Sequence, residues 1–350
     1  MSIHASKLFI GLVICSTALL SACGDSESAG PTTVRLLTHD SFVVSQPLID
    51  QFKKDTGISI ELITGGDSGA MVAGAVLASG SPTADVLFGI DNTLLSKAIE
   101  ADIFSPYTAT EADSILPTLG DDTSGGVVTP IDYGDVCINI DDAWFTEQRV
   151  AKPTNIDQLT SATYKDLLVV QDPASSSPGL AFMLATIAKY GDGWTKYWEQ
   201  LRDNGVAVSG SWTDAYESVF SGGAGDRPLV VSYATSPPAE IVYAEEPKPK
   251  KPSTSVLTEA CYRQIEFAGI LRGSPNEEAA QQVIDWLLSA PVQADVPLSM
   301  FVFPARQGVT LPEVFTKFAA QVPAPLQLPA GDVNAHLAEW LKTWGQVMGR

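Results

Sequence analysis

Residues 33–91 switch repeatedly between two periodicities, and that switching restricts the fold more than any other feature of the chain. "TVRLLTHD" alternates before ending in turn residues, "VVSQPLIDQFKKDTG" has helical spacing until Gly57 stops it, and "ISIELITGG" is again strand-like. "SGAMVAGAVLASGSP" is a small-residue helix broken at Gly80 and Pro82, and "ADVLFGID" is a short, nearly continuous apolar strand. Strand, helix, strand, helix, strand predicts an α/β fold with a parallel sheet and crossover helices. Ligands of such sheets bind outside the carboxyl ends of the strands. Those ends are "THDSF", "TGGDSG" and "GIDN", which put Asp40, Asp67 and Asp91 on one rim and favour a cation there. The competing role for such acids is to cap the helices that follow.

The pattern recurs later. "DLLVVQDPASSSPGLAFMLATIAKY" reads as strand, loop and helix, and its loop "PASSSPG" aims backbone amides at the cleft, a natural seat for a hydroxyl or phosphate. "VTPIDYGDVCINID" is extended, "PKPKKP" is an exposed loop, and "AHLAEWLKTWGQVMG" is helical. At 350 residues and 45% hydrophobic content the chain is long enough for two domains with substantial cores. Its net charge of −20 argues against nucleic acid or anionic lipid as the main partner and suits a small cationic ligand.

The "GDSG" within "TGGDSGAM" looks like a serine-protease nucleophile loop. The only histidines upstream of Ser68 are His4 and His39, too close in sequence for a two-barrel protease, and Ala70 replaces the last glycine of a G-x-S-x-G elbow. An anchored hydrolase built on Ser68 is therefore the weaker alternative. No CxxC or HExxH occurs, so the sequence points to no metal centre and no cofactor.

At the N-terminus, Lys7 precedes the apolar "LFIGLVICSTALL" and then "LSAC", which reads as an export signal too short for a spanning helix of about 20 residues. Leu20-Ser21-Ala22-Cys23 resembles a bacterial lipobox, implying a signal over residues 1–22, lipidation of Cys23, a flexible tether over 23–33, and membrane contact through the lipid alone. Cys137 and Cys261 then remain; in an oxidising compartment they either pair or stay as buried thiols.

"THDSF", "ADVLFGIDNTLL", "DYGDVCINID", "QDPASSSPGLAF", "GSWTDAYE", "VVSYATSPPAEI" and "VTLPEVF" resemble, in this order, the thiamine-binding proteins of bacterial thiamine ABC transporters, from about Val34 to the C-terminus. The resemblance implies a two-lobed type II periplasmic-binding-protein fold with a ligand cleft between lobes, 34–135 with 258–310 and 136–257 with 311–350. It implies no enzyme but a monomer that captures thiamine, with the thiamine phosphates as further candidates, and hands it to an importer of permease and ATPase by touching the permease. Trp212 and Tyr233 match the family's ring-stacking positions, and Ser176 its polar contact at the ligand's tail. Tyr216 belongs to the same block as Trp212. Asp67 becomes a cleft-facing acid, with Ser68 starting the next helix. His39 stands where "TYDSF" has an aromatic, Ala239 where an aromatic is found, and Phe301 where an indole occurs, so the aromatic cage is remodelled. In a two-lobed chain Cys137 lies where the chain first crosses and Cys261 where it returns, which predicts a disulfide near the hinge. A polyamine or ferric ion on the same fold is the rival ligand, and "VSYATS" supplies one tyrosine where iron capture uses adjacent ones.

Overall fold

The computed structural model describes residues 32–119 and 125–350. The export signal, Cys23 and most of the tether lie outside the described residues.

The strands are β1 Thr33–Thr38, β2 Ser59–Thr64, β3 Val86–Asp91, β4 Phe104–Ser105, β5 Thr129–Asp141, β6 Leu168–Gln171, β7 Ala207–Ser209, β8 Leu229–Tyr233, β9 Thr254–Leu271 and β10 Phe303–Pro304. They form one sheet in the order β2-β1-β3-β9-β5-β8-β6-β7, with β4 on β9 and β10 on β5. As the periodicity predicts, β1 pairs parallel with β2 and β3, and the crossovers are the helices α1 Gln46–Thr56 and α2 Ser68–Leu77. A second parallel group, β6 with β7 and β8, makes the other wing. Every residue of β3 is buried, as expected of a central strand, parallel to β1 and antiparallel to β9, that is covered on both faces.

Between the wings runs an antiparallel ribbon of the two long strands, β5 and β9. Its register explains where a ligand can sit. Asp91, at the carboxyl end of β3, pairs with Glu266 of β9, whereas Tyr233, at the carboxyl end of β8, pairs with Val136 of β5. Both wings therefore aim the carboxyl ends of their strands at the same middle stretch of the ribbon.

The first wing buries Val34, Leu36, Val86 and Phe88 against Ile284 and Leu288 of α8, Glu277–Leu288. In the second, α5 (Ser177–Tyr190) is buried from Ser177 through Ile187, the character of a core helix apolar on all sides. The helix α11, Ala330–Met348, packs Trp344 edge-on against Trp198 of α6, Trp194–Asp203.

Cys137 and Cys261 are joined by a disulfide, with their Cα atoms 4.4 Å apart. The ribbon register shifts between Val136 and Ile138, so the bridge staples a bulge at the ribbon's midpoint.

Candidate functional site

A cavity of about 630 Å³ lies where the two sets of strand ends converge, within the size range of small-molecule sites. Trp212 and Tyr216 form one wall. Their rings stack with centroids 5.0 Å apart and planes at 18°. Tyr216 lies in a π-helical turn, Asp214–Val219, a geometry that widens the helix to place a side chain and recurs at functional sites. Trp212 is fixed at both ends: its indole N–H donates to Ser232 Oγ at 2.9 Å and its backbone N–H to Asp67 Oδ2 at 2.9 Å.

Tyr243 and Phe301 also line the cavity, edge to face at 5.5 Å. Phe301 holds a φ of 53°, in the left-handed region that costs a residue with a Cβ. Tyr243 follows α7 (Pro237–Val242) and donates its backbone N–H to the carbonyl of Ala239, one turn back. An aromatic thus reaches the cavity although Ala239 provides none. Tyr233 lies across β5 where Gly134 leaves room, since a Cβ there would meet the ring at 2.8 Å; its hydroxyl donates to Gln264 Oε1 at 2.7 Å.

Asp67 caps α2 by accepting from Ser68 N at 2.7 Å, and the same oxygen accepts from Ser177 N, at the start of α5, at 3.2 Å. With the Trp212 contact, one carboxylate links three segments. Burial pushes its pKa up, and the Trp212 N–H, the Ser176 hydroxyl and the Ser177 N–H offset only part of that. Nearby, Ala70 N donates to the Ser175 carbonyl and the Ser41 and Thr213 hydroxyls meet at 3.2 Å, so the wings touch around the cavity.

His39, Glu266 and Asp132 form a buried ionisable group at one side. His39 Nε2 stands 3.4 Å from Glu266 Oε1, and Asp132 faces Glu266 across the β5–β9 ladder with neither of its oxygens hydrogen-bonded to other groups. Burial pulls the His39 imidazole down, but Glu266, with Asp67 and Asp40, more than offsets this and its pKa is raised. Burial and the Glu266 charge push Asp132 far up; burial acts on Glu266 too, but His39 and the Asp132 proton hold it below its ordinary value. These shifts favour the neutral form of Asp132, the ionised form of Glu266 and the protonated form of His39. Gly89 makes this possible, because a Cβ there would stand 2.3 Å from the His39 ring.

Of the residues expected from sequence, His39, Asp40, Asp67, Trp212, Tyr216, Tyr233 and Phe301 line the cavity, and Ser68 lies beside Asp67. Two do not. Ser176 is fully buried with its hydroxyl toward the Asp67 carboxylate, and its neighbours Ser177 and Pro178 take the wall instead. Asp91 is fully buried and turned into its own loop, where Oδ1 accepts from Thr93 N, Thr93 Oγ1 and Leu94 N while Gln264 donates to Oδ2. Burial raises its pKa to about 6. Holding its own turn wins there over facing the cleft. Glu266, Glu217, Tyr243 and Ser177 are lining residues that sequence reasoning missed; only the alternation of "YRQIEFAGI" hinted at Glu266.

The model of the bacterial extracellular solute-binding proteins matches residues 81–324, more than half of the chain. The thiamine-binding periplasmic protein of Escherichia coli (strain K12) is 27% identical over 337 residues, which are 95% of this chain and 98% of that protein. Among solved structures, a periplasmic thiamin binding protein superposes with a TM-score of 0.80 at 26% identity, covering 91% of this chain and 96% of that one. A ferric binding protein from Campylobacter jejuni shares the fold, with a TM-score of 0.72 at 17% identity over 90% of this chain and 99% of its own. The cleft between converging strand ends, the family match and these likenesses agree: the chain belongs to the bacterial extracellular solute-binding proteins, has their mixed α/β periplasmic-binding-protein fold, and binds its solute without transforming it.

Proposed function

We propose that the protein captures thiamine outside the cytoplasm and delivers it to an ABC importer. The observation that carries this reading is the juxtaposition of the Trp212–Tyr216 stack with the carboxylates of Asp67 and Glu266 around one cavity of about 630 Å³. Thiamine needs aromatic faces for its two rings, an anion near its permanently cationic thiazolium, and polar groups for its hydroxyethyl tail. Tyr233, Tyr243 and Phe301 supply further faces, and Ser177 in place of Ser176 serves the tail. The likeness to thiamine-binding proteins supports the same ligand.

The wings act as the two lobes of a clamp, 34–135 with 258–310 and 136–257 with 311–350, hinged on the ribbon that Cys137–Cys261 staples. A monomer closed on thiamine presents both lobes to the permease, and a lipid on Cys23 keeps it at the membrane. Acyl groups on Cys23 in the mass spectrum of the mature protein test the anchor; an unmodified Cys23 refutes it.

Ferric capture uses adjacent free phenolates, but the Tyr233 hydroxyl is committed to Gln264 and that of Tyr216 faces Ser236, which leaves Tyr243 as the one cavity tyrosine, among the described residues, with an exposed side chain. A thermal-shift panel of thiamine, spermidine and a ferric salt separates the ligands. Thiamine alone should raise the melting temperature strongly; a larger shift with spermidine or iron would replace this reading.

A further inference from the structure

We propose that Gln264 is a positioning residue for solute capture, a latch in the hinge ribbon whose side-chain amide holds the two wings closed; the inference rests on the reading of the wings as a clamp, not on which solute fills it. Gln264 is buried in β9, opposite Gly134 of β5. Its Nε2 donates to Asp91 Oδ2, at the end of β3, and to Ser177 Oγ, at the start of α5, the latter at 2.8 Å. Its Oε1 accepts from the hydroxyl of Tyr233, at the end of β8, at 2.7 Å. One amide thus joins the strand ends of the first wing to two cavity-lining side chains of the second.

The partners fall on opposite sides of the hinge. The turn after β3 grips β9 on either side of Gln264: Asn92 N donates to the Ile265 carbonyl at 3.1 Å, Ile265 N to Asn92 Oδ1 at 2.8 Å, and Asn92 Nδ2 to the Arg263 carbonyl at 3.2 Å. Gln264 therefore moves with Asp91 and the first wing, whereas Ser177 and Tyr233 move with the second. The amide cannot be turned round, because an ionised carboxylate only accepts and the reversed group would set oxygen against oxygen at Asp91. Asp91, although turned away from the cavity, in this way orients the group that reaches across to it.

Swinging the wings apart breaks the bonds to Ser177 and Tyr233 and spares the one to Asp91. Each broken bond favours the closed form by roughly fivefold. A solute leaves only from an open cleft, so the latch slows release while the encounter with an open cleft is unaffected. A glutamine that only satisfied its buried neighbours would matter to folding and leave release from the folded protein unchanged.

The test is stopped-flow measurement of thiamine association and dissociation, followed by intrinsic fluorescence, together with small-angle scattering of the solute-free protein. Gln264→Met keeps the side-chain length and removes every bond of the amide; it should dissociate about tenfold faster or more, with association within about twofold of wild type and a larger radius of gyration. Tyr233→Phe keeps the ring and the Gln264–Asp91 bond, and should dissociate about fivefold faster. In the double variant the Tyr233→Phe step should add less than about twofold, because the latch is already gone, whereas independent residues would multiply their effects. If Gln264→Met does not fold, the Tyr233→Phe rate decides alone. Dissociation of Tyr233→Phe at the wild-type rate overturns the latch, and so do effects that multiply. Absence of thiamine binding by the folded wild type overturns the thiamine reading only; the latch is then decided by the radii of the two variants, where values equal to the wild type overturn it.

Discussion

Asp67 accepts a hydrogen bond from the backbone N–H of Trp212, 145 residues further along the chain, at 2.9 Å. This contact and the one from Ser177 to the same carboxylate join the first wing to the second, so Asp67 ties the wings together and fixes the backbone of Trp212. Hydrogen bonds to a charged group are each worth about 1.5–3 kcal/mol. Asp67→Ala should loosen the closed form, seen as a larger radius of gyration by small-angle scattering, and weaken thiamine binding about tenfold or more. An unchanged radius and affinity would mean that closure does not depend on this carboxylate.

The His39–Glu266 pair should make stability and binding respond to pH in opposite senses. The folded pKa of His39 is raised, so its contribution to stability is fully present below its unfolded pKa, about 6.5, and is lost as pH rises through the folded value. Thiamine, being cationic, should compete with the protonated imidazole for Glu266 and bind more tightly as that proton leaves. Across pH 6 to 9 the melting temperature of the free protein should therefore fall while affinity rises, and His39→Phe should flatten both trends. Affinity that falls in parallel with stability would contradict this arrangement.

Tyr243 is 68% exposed, although it lines the cavity and packs on Phe301. A large aromatic left open in this way gains most when a ligand ring covers it. Tyr243→Ala should weaken thiamine roughly tenfold, and Tyr243→Phe should cost little, because the ring rather than the hydroxyl makes the contact. Equal loss in both variants would assign the effect to the hydroxyl.

The Cys137–Cys261 bridge closes a loop with a sequence separation of 124. On the chain-entropy model a loop of that length is worth about 4–5 kcal/mol. The double variant Cys137→Ser, Cys261→Ser should unfold at clearly lower denaturant, with thiamine affinity changing far less than stability. A midpoint equal to that of the wild type would show that the staple does not stabilise the fold.

Local order was easy to read in this chain because breakers and periodicity coincide: Gly57 ends α1, and α2 ends before Gly80 as the small-residue run predicts. Trp212 and Tyr233 were legible through their motif blocks. Glu266 and Asp132 were not, because their meeting depends on the register of two long strands far apart in sequence, and alternation alone does not set that register. Ser176 and Asp91 show the limit on a finer scale. At a helix start one residue decides which hydroxyl faces out, so Ser177 replaced Ser176, and the amides following Asp91 held it in its own turn. Tyr243 escaped notice because it enters the cavity one turn after Ala239, the position that lacks the ring.

The most direct test of thiamine capture is the ratio of thiamine dissociation constants between Trp212→Ala and the wild type, measured by calorimetry on folded protein. Ring stacking contributes about 0.5–1.5 kcal/mol beyond buried area, and a desolvated cation over an aromatic face about 2 more, with roughly 1.4 kcal/mol to each factor of ten. The wild type should bind one thiamine per chain, and the variant 10- to 100-fold more weakly or worse, on the order of those energies. A ratio near one, or no thiamine binding by the folded wild type, would contradict the account.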